Sequence, residues 1–437
     1  SDLNLDFAKM YHDLNVFNTS PKGENPKSKK LPSTELGLND LPGGKDGIGS
    51  NNWVLSGKLT ESGKPLLAND PHLGLSAPAI WYFAHLDAPG LNVIGGTLPG
   101  IPAVVLGRSE KFAWSFTNTN PDVQDTYLEE LDSSNPSMYR GPHGMLPFTV
   151  HQEIIDIKGS TPITFIVKET RHGPVISDSY ARVKRAINTN RYALALRWTA
   201  LDPENQSVVG LLEMNRAKDL DSFKAAIHKN YAPMQNVVMA DTDGNIAYQA
   251  AGVAPKRTLH QDLYGIAPAP GWDPQYDWNG YLSFNQLPNS SNPEQGWIAT
   301  ANQAVTALNN PNPLTADWDV PTRYDRIVQL INAKSTFDLQ YMKTMQGDTL
   351  SLGATPLLEL FKSSKTTHPL GSKTLDLIQK FDGNMSVDSP GALIFNAWAD
   401  HLTRNVFSRL SYLFFDDYGA RNFRYPLIAI LQNPNNP

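Results

Sequence analysis

The sequence predicts an α+β protein built in layers, with most of its strands ahead of most of its helices. Between residues 50 and about 200, short runs of β-branched and aromatic residues alternate with turn residues, as in strands. From Arg323 onward, apolar residues recur at the spacing of amphipathic helices. Two helical segments and a further pair of strands lie between these regions. This order indicates sheet layers that are covered by helices.

The strand predictions depend on short apolar runs that are bounded by turn residues. The predicted strands include residues 80–83, 104–106, 112–117, 163–167 and 192–198. Two more strands, 234–240 and 246–251, flank the segment 241–245, where Asp243-Gly244 is typical of a hairpin turn. These two strands are therefore expected to pair with each other.

The helix predictions depend on the 3.6-residue period of the apolar residues. The first two helices span residues 206–215 and 220–228, and the later ones span 324–333, 338–345, 354–362, 373–381 and 392–410. A proline- and asparagine-rich stretch at about 263–322 separates the two groups. The chain is therefore expected to be helical from about residue 323.

The two ends of the chain differ from the rest. Residues 20–49 are rich in Pro, Gly, Lys and Ser, which is the composition of a linker. The chain starts at Ser1 without Met and has no signal-like apolar region. At the other end, the apolar and aromatic run 407–431 stops at a short polar tail. The sequence is therefore expected to be a processed part of a longer polypeptide.

Composition excludes several classes of protein. The chain is 40% hydrophobic and 18% charged with a net charge of −6, so it lacks the basic excess of a nucleic-acid-binding protein. No apolar run approaches the roughly 20 residues of a membrane span. The absence of cysteine excludes disulfides, thiolate metal sites and a cysteine nucleophile. The sequence also lacks the Walker A, Gly-x-Ser-x-Gly and His-Glu-x-x-His motifs.

Ser50 is the first candidate for chemistry. It follows Gly49 and precedes an apolar run that begins at Trp53. If the Gly49–Ser50 bond is cut, Ser50 carries a nucleophilic hydroxyl and a basic α-amine on one residue. The alternative interpretation is an ordinary turn serine.

Six motifs in a fixed order resemble the penicillin acylase family of N-terminal nucleophile hydrolases. They lie at residues 49–53 (GSNNW), 67–72 (LANDPH), 95–102 (GGTLPGIP), 112–118 (FAWSFTN), 171–175 (RHGPV) and 234–248, from MQNV to DGNIAY. The resemblance covers nearly everything from Ser50 to about residue 410. It implies a four-layer αββα sandwich with a helical carboxy-terminal part.

The resemblance also implies a precursor that cuts itself between Gly49 and Ser50. The products would be a small α chain and a large β chain that remain together as a heterodimer. Residues 1–49 would then be the end of the α chain plus a spacer, and residues 50–437 would be part of the β chain. A periplasmic or secreted protein is expected.

The family pattern assigns roles to five residues. Ser50 is the nucleophile, and His72 lies beside it and helps to hold its amine. The side chain of Asn236 and the backbone N–H of Asn118 are the donors to the oxyanion. Arg257 organises the site around the asparagine. The alternatives are a strand cap for Asn236, a surface charge for Arg257 and a structural histidine at position 72.

A calcium site is implied next to the oxyanion segment. Asp122 and Asp125 supply carboxylates and the Gln124 carbonyl lies between them, a ligand set that suits a hard cation. In the family a further ligand comes from the α chain. Without the resemblance, two aspartates three residues apart indicate a solvated loop.

The acyl pocket of the family is apolar, and the candidates here are Leu73, Trp81, Phe116, Val105 and Ile101. Residues of these types on strands also serve simply as core. The expected substrate is a small acyl amide with a phenylacetyl or fatty acyl group. The sequence slightly favours deacylation of a penicillin-type β-lactam, with an N-acyl homoserine lactone as a close alternative. An uncleaved inactive precursor and a non-catalytic binding module are further alternatives, and neither a nucleic-acid nor a membrane partner is expected.

Overall fold

The computed structural model describes residues 49–74, 76–258, 261–307, 310–315, 318–407 and 420–433. The interpretation of residues 1–48 as an α-chain end and spacer lies outside the described residues, as do positions 408–410 of the last predicted helix. The division into an α-chain end and a partial β chain stays a prediction. Within the described segments, no helix has the length and apolar character needed to cross a membrane.

The strands fall where short apolar runs alternate with turns. Their bounds are β1 Gly49–Leu55, β2 Leu66–His72, β3 Tyr82–Ala88, β4 Leu91–Thr97, β5 Leu106–Ser109, β6 Phe112–Asn118, β7 Gln124–Glu130, β8 Met138–Gly141, β9 Gly144–Pro147, β10 Thr149–Ile155, β11 Ile163–Thr170, β12 Gly173–Pro174, β13 Tyr192–Trp198, β14 Gln235–Asp241, β15 Ile246–Ala251, β16 Ala269–Pro270, β17 Asn289–Ser291 and β18 Trp297–Thr300.

Most of the helices fall where apolar residues recur at a helical period. Their bounds are α1 Ala181–Ala186, α2 Ser207–Met214, α3 Leu220–Ile227, α4 Thr322–Asn332, α5 Leu339–Gln346, α6 Thr355–Lys362, α7 Gly371–Lys380, α8 Pro390–Val406 and α9 Ala420–Gln432. Helices α6 to α9 enclose an apolar core that includes Phe361 and Phe395. The predicted helices 206–215, 220–228, 324–333, 338–345, 354–362 and 373–381 are confirmed to within two residues at each end.

The larger sheet has seven strands in the order β17-β15-β14-β6-β5-β4-β3. The predicted hairpin is confirmed, because β14 and β15 pair antiparallel and the N–H of Asp241 donates to the carbonyl of Asn245 at 3.0 Å. On its other side, β14 pairs antiparallel with β6, which sets Asn236 opposite Thr117. This register brings two of the sequence motifs to one end of the sheet.

The second sheet has three strands, with β1 between β18 and β2. Gly49 pairs with His72 and Ser50 pairs with Pro71 on one side of β1. On the other side, Asn52 pairs with Thr300. Strands β1 and β2 pack face to face on β6 and β14 of the larger sheet. The first residues of β1 therefore lie over the ends of β6 and β14.

Side-chain alternation along the strands builds the four layers. Val54 and Val238 point between the two sheets. Val237, one residue along, points to the outer face of the larger sheet, where α2 and α3 pack. Trp53 likewise points away from the sandwich, onto α4 and α5. The layers are thus helix, seven-stranded sheet, three-stranded sheet and helix, which confirms the predicted αββα sandwich.

The proline- and asparagine-rich stretch departs from the prediction. It contains β18, a strand of four residues that is the neighbour of β1. This run is too short to show a strand pattern among the nearby Pro, Gly and Asn residues. It forms a strand because it pairs with β1 in the folded protein. Two predicted strands also begin late, because β3 starts at Tyr82 and β5 at Leu106.

Candidate active site

The inner faces of the sandwich become polar at one end. Asn52, Thr300, Thr117 and Asn236 lie on four neighbouring strands, all at least 97% buried. The Thr300 hydroxyl donates to Oδ1 of Asn52 at 2.5 Å, and the two threonine hydroxyls lie 2.7 Å apart. Nδ2 of Asn236 donates to the Thr117 hydroxyl at 3.1 Å. Buried polar groups must find such partners, so this chain of bonds fixes the ends of the strands.

Ser50 lies two residues before Asn52 and therefore on the same inner face. It is only 7% exposed, and it is joined to Gly49 in the extended strand β1. Its backbone N–H donates to Oδ1 of Asn302 at 2.8 Å. Nδ2 of Asn302 in turn donates to the carbonyl of Asn118 at 2.7 Å. The sequence-predicted Ser50 and Asn118 are thus linked through a residue that the motifs do not include.

Asn236 meets the same carbonyl. Its Nδ2 lies 3.3 Å from the carbonyl oxygen of Asn118, and its Oδ1 accepts the hydroxyl of Tyr248 at 2.7 Å. Burial raises the pKa of Tyr248, so its hydroxyl stays protonated and remains a donor. Because Oδ1 is held by a donor, Nδ2 of Asn236 is the atom that faces the Ser50 end of the sandwich. The structure brings Ser50, Asn118 and Asn236 together as the sequence predicts.

Arg323 is the second residue that the motifs do not include. It lies in the first turn of α4, and its Nη1 donates to the carbonyl of Ser50 at 2.8 Å and to Oδ1 of Asn51 at 2.7 Å. Its Nη2 donates to Oδ1 of Asn302 at 2.8 Å and to Asp319 at 2.7 Å. The only sequence signal for Asn302 and Arg323 is their position just after a strand and just inside a helix.

His72 lies across the strand pair from Gly49 and is half-buried. Burial lowers the pKa of its imidazole, and the positive charge of Arg323 lowers it further, while Asp70 opposes both. The imidazole is therefore neutral at neutral pH. A neutral ring next to the scissile bond fits the predicted role of His72 in holding the amine, which stays a prediction.

Arg257 lies against the acidic loop. Its Nη2 donates to Oδ1 of Asp125 at 2.6 Å and to the carbonyl of Asp122 at 2.8 Å. The indole N–H of Trp278 donates to Oδ2 of Asp125 at 2.6 Å. Arg257 and Asp125 are both almost fully buried, so they form an ion pair away from water. Arg257 thus contacts Asp122 and Asp125 directly, and its predicted role in organising the site around Asn236 stays a prediction.

The same contacts test the predicted calcium site. Both carboxylate oxygens of Asp125 already accept N–H groups, and one of the two donors is a cation. Gln124 is an exposed residue at the start of β7, paired with Trp198. This arrangement does not fit a calcium ion held by Asp125, because a guanidinium already lies against that carboxylate. The calcium site stays a prediction from the resemblance, and no chemical step is derived through it.

The predicted acyl pocket is divided in the structure. Leu73 follows β2 and is 41% exposed, whereas Trp81 is half-buried against Gly96. Phe116, by contrast, packs with the core under α2 and α3, on the opposite face of β6 from Thr117. Ile101 and Val105 are half-buried in the segment between β4 and β5. The pocket assignment of these residues stays a prediction.

Comparisons with known proteins identify the family of this chain. Residues 4–436 match the family described as penicillin amidase. An acyl-homoserine lactone acylase, QuiP of Pseudomonas aeruginosa, is 32% identical over 377 residues, which are 82% of this chain and 44% of that protein. The penicillin acylase 2 proenzyme of Pseudomonas sp. strain SE83 is 28% identical over 369 residues, which are 83% of this chain and 46% of the relative.

A solved structure is similar as well. The thermostable penicillin G acylase from Alcaligenes faecalis aligns with a TM-score of 0.68 and 25% identity, covering 82% of this chain and 64% of that one. The chain spans less than half the length of the two curated relatives. The family match over nearly the whole chain, together with the sandwich and the ordered motifs, shows that this chain belongs to the penicillin amidase family.

Proposed function

We propose that this protein is an amidohydrolase whose nucleophile is Ser50, released as an amino-terminal residue. One observation carries the proposal: the Ser50 N–H donates to Asn302, and the side-chain amides of Asn302 and Asn236 both donate to the Asn118 carbonyl. Family membership makes amide hydrolysis the reaction class.

The first half of the reaction forms an acyl-enzyme. Oγ of Ser50 attacks the carbonyl carbon of the substrate amide, and the α-amine of Ser50 takes the hydroxyl proton. A free α-amine has a pKa of about 7.7–8.0, so a sizeable fraction is unprotonated near neutral pH. The same amine then gives its proton to the leaving nitrogen as the C–N bond breaks. The acyl group is left as an ester on Ser50.

The second half releases the acid. Water attacks the ester carbonyl, the α-amine again takes a proton, and Oγ of Ser50 leaves and is reprotonated. Each tetrahedral intermediate carries a negative oxygen that needs donors. Nδ2 of Asn236 and the backbone N–H of Asn118 are the proposed donors, and the Tyr248 hydroxyl keeps the Asn236 amide in the donating orientation.

Two substrate classes enter the proposal. The relatives include proteins named as acyl-homoserine lactone acylases and as penicillin acylases. Both reactions cleave a linear amide and leave a small amine, either a homoserine lactone or a β-lactam nucleus. We carry both forward, because one methylene in the acyl pocket is worth only about 1–3 kcal/mol and the residues do not fix its length.

The state of the Gly49–Ser50 bond decides activity. In this sequence Ser50 is joined to Gly49, and an amide nitrogen is no base. We propose that self-cleavage at this bond activates the protein and that the preceding segment stays bound as an α chain. A periplasmic or secreted location is part of the same proposal, whereas a calcium ion is not, because the Arg257 guanidinium already lies against the Asp125 carboxylate.

The test is release of carboxylic acid from N-acyl homoserine lactones and from penicillins by the full-length protein. Wild-type protein is expected to cleave at least one class, and Ser50→Ala is expected to cleave neither. Ser115→Ala is the matched control, because Ser115 is a fully buried serine on the same inner face whose hydroxyl only bonds the Val238 carbonyl. Hydrolysis that survives in Ser50→Ala would overturn the proposal.

A further inference from the structure

We propose that Asn302 and Arg323 are positioning residues for Ser50: Asn302 holds the Ser50 nitrogen before and after cleavage, and Arg323 holds Asn302. The inference rests on the proposed function and adds two residues to it. Neither residue lies in the motifs that carry the family resemblance.

Asn302 is fixed at both ends of its amide. Oδ1 accepts N–H groups from Ser50 and from Arg323, both at 2.8 Å, and Nδ2 donates to the Asn118 carbonyl at 2.7 Å. The residue is 2% exposed and has a left-handed backbone with φ of 66°. Asparagine tolerates this conformation better than most residues. The amide therefore cannot turn over without breaking all three bonds.

Because Oδ1 of Asn302 is fixed, it would restrict the orientation of the free α-amine of Ser50. After cleavage the neutral amine has two hydrogens and one lone pair. If Asn302 accepts one of the hydrogens, rotation about the Ser50 N–Cα bond is restricted, and the lone pair is held in one direction. A base must be held within hydrogen-bond reach of the proton that it takes, and a misplacement of about 1 Å costs about 100-fold in rate.

Arg323 fixes the groups that surround the Ser50 nitrogen. It bonds the Ser50 carbonyl, the Asn51 side chain and Asn302, and Asp319 accepts from its Nη2. The charged or titratable groups that face the Ser50 nitrogen are therefore the Arg323–Asp319 pair from α4 and the loop before it. On the neighbouring strand β2, the titratable residues are Asp70, which pairs with Asn51, and His72, which pairs with Gly49, one on each side of the partner of Ser50.

The same contact serves the cleavage step. Oγ of Ser50 attacks the Gly49 carbonyl carbon, the C–N bond breaks, and the nitrogen gains the hydroxyl proton. The product is an ester between Gly49 and Ser50, which water splits into the Gly49 carboxylate and the free serine. The leaving nitrogen is the atom that Asn302 already holds.

The first test replaces Asn302 in the full-length protein. Asn302→Gly keeps the left-handed backbone without strain and removes the amide. We expect about 100-fold slower self-cleavage and about 100-fold lower kcat in the processed fraction, with KM within about twofold of wild type. Asn292→Gly is the matched control, since Asn292 has φ of 46° and bonds only the Asn245 hairpin region, and it is expected to match wild type.

A second variant gives a readout that a purely structural role would not move. Asn302→Asp keeps an oxygen acceptor and adds a negative charge beside the amine. The charge favours the ammonium form, so the acid limb of the kcat profile is expected to move to higher pH by about one unit. An unshifted acid limb in Asn302→Asp would overturn the proposal.

The third test concerns Arg323. Arg323→Gln is expected to lower the rate of self-cleavage and kcat by at least about tenfold. Arg323→Lys keeps the charge but loses the planar guanidinium with its several N–H donors, so it is expected to restore only part of the lost rate. Arg326→Gln is the matched control on the same helix, because the guanidinium of Arg326 forms a bidentate pair with Asp348 rather than bonds to Ser50 or Asn302.

Two outcomes distinguish this inference from the proposed function. Wild-type processing and kcat in both Asn302→Gly and Arg323→Gln would overturn the positioning role while Ser50 remained the nucleophile. Hydrolysis that persists in Ser50→Ala would overturn the proposed function itself.

Discussion

The guanidinium of Arg323 packs directly against the Cα of Gly49, beside the scissile bond. A Cβ atom on Gly49 would lie 2.9 Å from Nη2 of Arg323 and 3.2 Å from Oδ1 of Asn302. Gly49 has no left-handed backbone that would require glycine, so the requirement is one of room. A side chain at position 49 must displace the guanidinium that holds the Ser50 carbonyl.

Gly49→Ala is therefore expected to slow self-cleavage by about tenfold, since the attacking hydroxyl and the scissile carbonyl lose their alignment. The measurement is the fraction of cut chain over time on denaturing gels. Gly347→Ala is the control, because a Cβ there meets only ordinary contacts at 3.6 Å and beyond. Cleavage at the wild-type rate in Gly49→Ala would show that Arg323 has room to move.

Asn236→Ala is expected to lower kcat by about 100- to 1,000-fold with little change in KM, the loss typical of one oxyanion donor. Tyr248→Phe removes only the hydroxyl that orients Asn236, and a smaller fall of about tenfold is expected. Tyr276→Phe is the control, because its hydroxyl bonds Asp262 instead. Equal kcat in Asn236→Ala and wild type would exclude Asn236 as a donor.

Arg257→Ala is expected to destabilise the fold by about 3–5 kcal/mol, because it leaves the buried carboxylate of Asp125 without its cation. Urea unfolding monitored by tryptophan fluorescence measures the change. Arg404→Ala, which removes an exposed pair with Asp400, should change stability by less than about 1 kcal/mol. A small loss in Arg257→Ala, with a Tm that instead follows added calcium, would favour the calcium role for Asp125.

His72 is expected to weaken the fold under acid conditions. Burial, and then the charge of Arg323, lowers its pKa below the ordinary 6.5, so the unfolded chain binds a proton more readily than the folded one. Stability from the neutral ring is present above pH 6.5 and is lost as pH falls through the folded-state pKa. His72→Gln should flatten this acid-side fall of Tm, and His401→Gln, on the exposed face of α8, should not. A steeper acid-side fall of Tm in His72→Gln than in wild type would contradict a lowered pKa for His72 in the folded protein.

Much of the fold follows from local pattern. The β14–β15 hairpin and helices α2 to α7 have clear periods and turn signals, and the ordered motifs predict the sandwich. Strand β18 is not predicted, because a run of only four residues, Trp-Ile-Ala-Thr, among Pro, Gly and Asn is too short to show a period. Its pairing with β1 depends on contacts between residues that are far apart in the chain, such as Asn52 and Thr300, which are 248 residues apart.

Some residues of the site are also predicted by the sequence, and others are not. Ser50, Asn118 and Asn236 lie in recognisable motifs, and the structure gathers them. Asn302 and Arg323 have no local signal, because their function comes from bonds to Ser50 across more than 250 residues of chain. Arg257 and Asp125 are both recognisable by sequence, but only the structure shows that they contact each other.

The central claim is that Ser50 acts as an amino-terminal residue, and intact-mass and amino-terminal sequence analysis of the purified full-length protein tests it most directly. Active wild-type protein is expected to contain a chain that begins at Ser50, and Ser50→Ala is expected to remain a single uncut, inactive chain. Active wild-type protein in which residues 49 and 50 are still joined would contradict it.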